Sequence, residues 1–319
     1  MSGCWRSWPD VIVAFYSPHR NFRFWEASLR HVLPDVEFRC APDLGDPAEI
    51  DVALVWRPPP GWLAGLPNLK LILSQGAGVD HILTDPLLPR HVPIVRLVDP
   101  YMTRSMVEFV TFQVLRLHLK EPDFRRQREQ RIWRQLVPPS ARDRRVGILG
   151  LGELGTACAE ALVALGFDVA GWSRSSKHLP NVESFSGDEA FDAFLARTEI
   201  LVCLVPLTSE TKGILSRATF EQMPRGAGVI NVGRGGHLVE ADLLAALESG
   251  QIGDAVLDVF ETEPLPQDHP FWDHPRIVVT PHVAALTNPA TASEVIAANL
   301  RRLERGEDWP DRIDVGAGY

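Results

Sequence analysis

The chain has 319 residues, a hydrophobic fraction of 45%, a charged fraction of 23% and a formal net charge of −9. This length allows two medium domains with a sizeable core, and the composition is that of a soluble globular protein. The acidic balance argues against a general affinity for nucleic acid or an anionic membrane surface.

The opening segment, MSGCWRSWPD, has no long apolar run behind a basic head, so neither a signal peptide nor a membrane span is expected. Short β-rich apolar runs then alternate with helical patterns, which predicts parallel sheets built from βαβ units. In the first third the predicted strands are Val11–Phe15, Val36–Cys40, Val52–Val55, Leu71–Leu73 and Ile94–Arg96. The segment RPPPG, Arg57 to Gly61, is a proline-stiffened loop after a strand. Thr103 to Lys120 carries Met106, Val110, Val114 and Leu117 at helical spacing, which predicts a long, largely buried helix linking two domains. The arginines 125, 126, 128, 131 and 134 read as a solvated face or a subunit contact, given the acidic whole. A second group of strands follows at Val146–Leu149, Val169–Trp172, Ile200–Leu204, Val229–Asn231, Ala255–Leu257 and Ile277–Val279. Six strands make a complete dinucleotide-binding sheet. An amphipathic C-terminal helix, TASEVIAANLRRLERGE, is expected to return to the first domain. Cys4, Cys40, Cys158 and Cys203 lack CxxC or metal-finger spacing, so reduced thiols and a cytoplasmic setting are expected. No His, Asp and Glu spacing demands a metal.

The most informative stretch is RRVGILGLGELGTACAEALVALGFDVAGWSR, which carries Gly150-x-Gly152-x-x-Gly155. The motif lies between an apolar strand and a helix, with a second strand beyond, and that order makes it specific. Gly150 permits the tight turn, Gly152 clears the backbone for a pyrophosphate, and Gly155 lets helix and strand pack closely. The helix N-terminus offers amides and a positive dipole to phosphate. An NAD site usually ends the second strand with a carboxylate that binds the ribose hydroxyls. Here Ser173 stands at that position, followed by Arg174, with Lys177 close by. A guanidinium can pair with a 2′-phosphate through its planar fork, so NADP(H) is expected.

Polar residues also follow the later strands: Arg234 after GVINV, Asp258 and Glu263 in AVLDVFETEPLP, and His282 in IVVTPHVAA. Ligands of open parallel sheets bind beyond the carboxyl ends of the strands, so these loops can converge. In the first third, Gly76, Ala77 and Gly78 follow a strand and form a plausible carboxylate clamp. Trp56 and Arg57 end another strand of that domain, and Tyr101, Met102 and Arg104 lie near the expected hinge.

Together the segments ALVWRPP, SQGAGVDHIL, VRLVDPYMTRSMVEFV, GILGLGELG, WSRSSK, PLTSETKGIL, NVGRGGHLVEADLLAALESG, LDVFETEPLP and TPHVAALT resemble the D-isomer-specific 2-hydroxyacid dehydrogenases, in particular the glyoxylate/hydroxypyruvate reductase A type. The resemblance covers nearly the whole chain. It implies an α/β fold of two doubly wound parallel-sheet domains, with a Rossmann NADP-binding domain inserted in a flavodoxin-like substrate domain. The expected division is 1–102 and 286–319 for the substrate domain and 103–285 for the Rossmann domain. The active site is expected in the cleft between them, and a homodimer is expected to form largely through the nucleotide domains. By motif, Arg234, Glu263 and His282 match the family's catalytic set. Asp258 matches a position that contacts the nicotinamide carboxamide. Leu154, Pro206, Val232 and Gly233 match positions near the cofactor. The implied activity is NADPH-dependent reduction of a small 2-oxo acid such as glyoxylate or hydroxypyruvate, with His282 as proton donor. A dehydrogenase for another 2-hydroxy acid and a non-catalytic NADP(H)-binding sensor remain the alternatives.

Overall fold

The computed structural model describes residues 11–18 and 22–316, so Cys4 and the opening segment lie outside the described residues. The chain divides into two compact units, one within Met1–Met102 and Thr287–Tyr319, the other Thr103–Leu286.

The first unit holds strands β1 (Ile12–Tyr16), β2 (Glu37–Cys40), β3 (Val52–Val55), β4 (Leu71–Ser74) and β5 (Ile94–Val95), with helices α1 (Phe22–Val32) and α2 (Asp80–Leu83). The sheet order is β2-β1-β3-β4-β5, and every pairing is parallel. That is the flavodoxin-like doubly wound order. β3 and β4 are buried at every position, as strands covered on both faces must be.

Helix α3 (Pro100–His118) follows, capped by Asp99, whose Oδ1 accepts the amides of Tyr101 at 2.7 Å and Met102 at 3.1 Å. This satisfies first-turn donors that would otherwise be orphaned. Met106, Val110 and Val114 are buried at helical spacing and join the core of the second unit.

The second unit adds α4 (Glu121–Glu129), β6 (Arg145–Leu149), α5 (Glu153–Ala164), β7 (Asp168–Ser173), β8 (Val182–Ser186), α6 (Phe191–Arg197), β9 (Ile200–Cys203), α7 (Arg217–Gln222), β10 (Ala227–Asn231), α8 (Glu240–Ser249), β11 (Ile252–Leu257) and β12 (Ile277–Val279). Its order is β12-β11-β10-β9-β6-β7-β8, again parallel throughout. The sheet therefore has seven strands where the apolar runs predict six. The extra member is β8, VESFS, an edge strand on which only Val182 is buried. Its polar residues give no apolar run to read. The chain leaves β6 outward through β7 and β8, then returns to β9 on the other side of β6. This reversal is the topological switch point where doubly wound sheets bind ligands.

The last helix, α9 (Pro289–Arg305), belongs to the first unit. Its Ala292, Ile296, Leu300 and Leu303 share one core with Val13, Phe15, Trp25 and Leu29. Cys158 and Cys203 are fully buried, and burial pushes each thiol up to about 12, which removes both from thiolate chemistry at neutral pH. The arginine cluster is partly structural. Arg126 reaches Asp254 at 2.7 and 3.3 Å and Asp123 at 2.9 Å, while Arg125 donates to the Pro275 carbonyl at 2.9 Å. Among the described residues no helix is long and apolar enough to cross a membrane, and no group of three or more His, Cys, Asp or Glu could hold a metal ion.

Candidate active site

Because the seven strands run parallel, their carboxyl ends lie along one edge. Ser173 ends β7, and Gly150, Pro206, Arg234, Asp258 and His282 follow β6, β9, β10, β11 and β12 within a few residues of each strand end. The topology thus brings the second unit's candidates to the same side of one sheet.

The phosphate turn is built at the switch point. Gly150 has φ +110°, and a β-carbon there would lie 2.8 Å from the Val205 amide nitrogen and 2.9 Å from the Leu204 carbonyl carbon. At Gly155 a β-carbon would lie 1.8 Å from the Gly150 carbonyl oxygen, so the helix can start this close to the strand only without a side chain. Gly152 differs. Its φ of −75° suits any residue, and a β-carbon would meet no protein atom within 4 Å. The protein itself does not require glycine there, whereas a ligand lying against the backbone would. No side chain caps α5, so its first-turn amides face the same space. This cradle fits a dinucleotide pyrophosphate. Leu154 packs its side chain on the core beneath the turn.

At the end of β7, Ser173 is buried and its hydroxyl donates to the Ser175 carbonyl at 2.7 Å. The hydroxyl therefore shapes the turn, and Arg174 and Lys177 are left exposed on it. No carboxylate stands between Ser173 and Lys177. After β9, Pro206 is exposed and its carbonyl accepts the Thr211 hydroxyl at 2.6 Å. Val232 is buried in the core, so only its backbone can face a ligand. Gly233 lies half-buried beside it.

The three catalytic candidates are joined through their loops. His282 Nδ1 and Glu263 Oε2 are 3.0 Å apart, and Glu263 Oε1 accepts the Phe260 amide at 3.1 Å. An ionised carboxylate has no proton to give, so Nδ1 donates and Nε2 is the nitrogen left for a substrate. The Arg234 loop presses on this same segment: a β-carbon on Gly235 would sit 1.8 Å from the Phe260 carbonyl carbon. Arg234 is half-buried, and its Nη1 donates to the Gly233 carbonyl at 2.8 Å.

Asp258 does more than the motif match implies. It is 1% exposed, and it accepts the Thr280 hydroxyl at 2.6 Å and the Val283 and Ala284 amides, both at 2.9 Å. Each such bond to a charged acceptor contributes about 1.5–3 kcal/mol, so together they offset several kcal/mol of desolvation. The carboxylate thereby anchors the turn on which His282 adopts φ +55°. Thr280 is a site residue that motif reading passes over. It stands in IVVTPH, one residue past β12, where a hydroxyl has no role until the fold brings Asp258 beside it.

In the first unit, Gly76 is buried and Ala77 and Gly78 are half-buried. The Gly76 amide is already bonded to Ser74 Oγ at 3.2 Å, so the anion-facing part of this clamp is reduced to the two residues after it. Gln75, also absent from the sequence reading, fixes the loop by donating to the Tyr16 and Leu54 carbonyls at 2.8 and 3.2 Å. Trp56 packs against His81 with ring centroids 4.4 Å apart, and a β-carbon on Gly76 would lie 3.0 Å from its ring. Arg57 is exposed with φ +46°. Near α3, Met102 is buried and unavailable to a ligand, while Tyr101 and Arg104 are exposed.

Comparison with known proteins gives this arrangement a family. Residues 112–284 match the family described as D-isomer specific 2-hydroxyacid dehydrogenase, NAD binding domain. The chain belongs to the D-isomer-specific 2-hydroxyacid dehydrogenases. Among the relatives of this dehydrogenase is a glyoxylate/hydroxypyruvate reductase A of Serratia proteamaculans, 45% identical over 96% of this chain and 99% of its own. A D-isomer specific 2-hydroxyacid dehydrogenase from Xanthobacter autotrophicus, solved with NADPH and MES, has a TM-score of 0.93 at 44% identity, covering 97% of this chain and all of its own. An NADPH-dependent glyoxylate/hydroxypyruvate reductase from Sinorhizobium meliloti, solved with NADP and sulfate, has a TM-score of 0.90 at 40% identity over 97% of this chain and all of its own.

Proposed function

We propose that this dehydrogenase reduces small 2-oxo acids, glyoxylate and hydroxypyruvate among them, to 2-hydroxy acids with NADPH. The observation that carries the reading is the His282–Glu263 pair held against the Arg234 loop on the carboxyl edge of a sheet whose first turn fits a dinucleotide. The second unit binds the dinucleotide through the 150–155 turn, Arg174 and Lys177, with Pro206, Val232 and Gly233 contributing backbone. The first unit binds the substrate through Trp56, Arg57, Ala77 and Gly78.

Reduced nicotinamide, when bound, supplies the hydride for the carbonyl carbon. The residues of this chain supply the rest. The Arg234 guanidinium can hold the substrate carboxylate and stabilise negative charge growing on the carbonyl oxygen. His282, with Nδ1 tied to Glu263, gives the proton on Nε2 to that oxygen. Glu263 fixes the ring and its tautomer through the bond to Nδ1. Asp258 holds the turn beneath His282.

A steady-state panel of glyoxylate, hydroxypyruvate, pyruvate and phenylpyruvate with both NADPH and NADH tests the reading. The two small acids with NADPH are expected to give the highest kcat/KM. Preference for phenylpyruvate would point to a dehydrogenase of bulkier acids. Absence of turnover with every acid would point to a cofactor-binding sensor.

The protein is further proposed to be a cytoplasmic homodimer. Cys40, Cys158 and Cys203 are free, which suits a reducing compartment, and recovery from an oxidising one would contradict this placement. For the dimer, the second unit exposes large apolar side chains along 112–137, with Phe112 61% and Trp133 98% accessible. Such surfaces mark protein contacts. Sedimentation of the wild type is expected to give a dimer that Trp133→Glu weakens, and a monomeric wild type would exclude it.

A further inference from the structure

We propose that His237 is a positioning residue for this reaction, acting through the backbone of Arg234. The inference rests on the reductase reading above.

The two peptide groups around Arg234 are held by two buried side chains. Arg234 donates its amide to Nδ1 of His237 at 3.0 Å, and its carbonyl accepts Nδ2 of Asn231, also at 3.0 Å. Asn231 Oδ1 then accepts the Gly233 amide at 3.2 Å. Asn231 and His237 are both fully buried. Arg234 itself is extended, at φ −143° and ψ 152°, and stands past the end of β10. The bond to Nδ1 demands the neutral tautomer with its proton on Nε2, so the ring acts here as an acceptor and not as an acid.

The imidazole is tightly placed. A β-carbon on Gly233 would lie 2.9 Å from both Nδ1 and Cε1 of the ring. The residue's own backbone is tied down as well: its amide donates to the Arg234 carbonyl at 3.2 Å and its carbonyl accepts the Leu215 amide at 2.8 Å. An apolar side chain would fill this buried place with less desolvation, so the imidazole is explained by the acceptor it offers. Without that acceptor the Arg234 peptide can rotate, and the guanidinium at the end of a long side chain magnifies the error. A misplacement of about 1 Å can cost on the order of 100-fold in rate.

The test compares His237→Leu, which removes the acceptor, with His237→Asn, whose Oδ1 stands as many bonds from the backbone as Nδ1 does. With NADPH and glyoxylate, His237→Leu is expected to lose about 10- to 100-fold in kcat/KM with a raised KM for glyoxylate, while the dissociation constant for NADPH stays within about twofold. His237→Asn is expected to recover most of that loss. Wild-type kcat/KM in the Leu variant would overturn the proposal. So would equal impairment of the Leu and Asn variants alongside equal losses of thermal stability, which is the signature of packing alone. If the Leu variant does not fold, His237→Gln replaces it, because its acceptor is one bond too far out. Asn active with Gln impaired supports the proposal, and equal activities overturn it. A wild type inactive with glyoxylate and hydroxypyruvate would remove the reductase reading and this inference together, whereas an active wild type with an unaffected Leu variant removes the inference alone.

Discussion

Replacing His282 by alanine is expected to lower kcat for glyoxylate by about 1,000-fold, within the range of roughly 10²–10⁴ that general acid catalysis contributes. That corresponds to about 4 kcal/mol of transition-state stabilisation. The dissociation constant for NADPH should change little, because the phosphate turn and Arg174 sit on β6 and β7 while His282 follows β12. Glu263→Gln should fall between the wild type and His282→Ala. A glutamine oxygen can still accept from Nδ1, but a neutral amide makes a weaker bond than a carboxylate. A loss of less than about tenfold in His282→Ala would mean that another group delivers the proton. A loss confined to NADPH binding would mean that the histidine has a purely structural role.

Exchange of Arg174 for aspartate should reverse the choice of cofactor. The wild-type turn offers a guanidinium and an ammonium and no carboxylate, so it suits a 2′-phosphate and gives the ribose hydroxyls of NADH little to bind. A hydrogen bond to a charged group is worth about 1.5–3 kcal/mol, and the new carboxylate adds repulsion. The expected result is a loss on the order of 100-fold in kcat/KM with NADPH, with NADH unchanged or improved. Equal losses with both cofactors would show that Arg174 does not read the phosphate. Because Ser173 spends its hydroxyl on the Ser175 carbonyl, its replacement by alanine should loosen the turn and weaken both cofactors alike.

Both arrangements are legible in the sequence to different depths. VALV in β3 and LIL in β4 are uninterrupted apolar runs on strands covered on both faces, and their positions are read within a residue. β8 is missed because an edge strand exposed to water has no need of apolar residues. β11 begins at Ile252, earlier than its apolar core, because Ile252 and Asp254 pair with Ala227 and Gly228 on either side of an irregularity at Gly253, a sequence that does not resemble a strand. The phosphate turn and Arg234, Glu263 and His282 announce themselves because each stands just past a strand or in a glycine motif. What holds them is not local. Asp258 meets Thr280 across 22 residues, and Gly235 meets Phe260 across α8 and β11. Neither contact has a spacing to read. The same holds for Gln75, whose partners lie on β1 and β3. Gly76 shows another contact with no signal of its own. A glycine after a strand suggests a free amide, but Ser74 two residues earlier has already bonded it.

The most direct measurement is a crystal structure with NADP+ and glyoxylate, a pair that lacks the reduced nicotinamide the proposed reduction needs. The substrate carboxylate should lie on the Arg234 guanidinium, with the carbonyl oxygen within about 3 Å of His282 Nε2. Glyoxylate bound with its carbonyl turned away from His282, or bound without Arg234, would contradict the account.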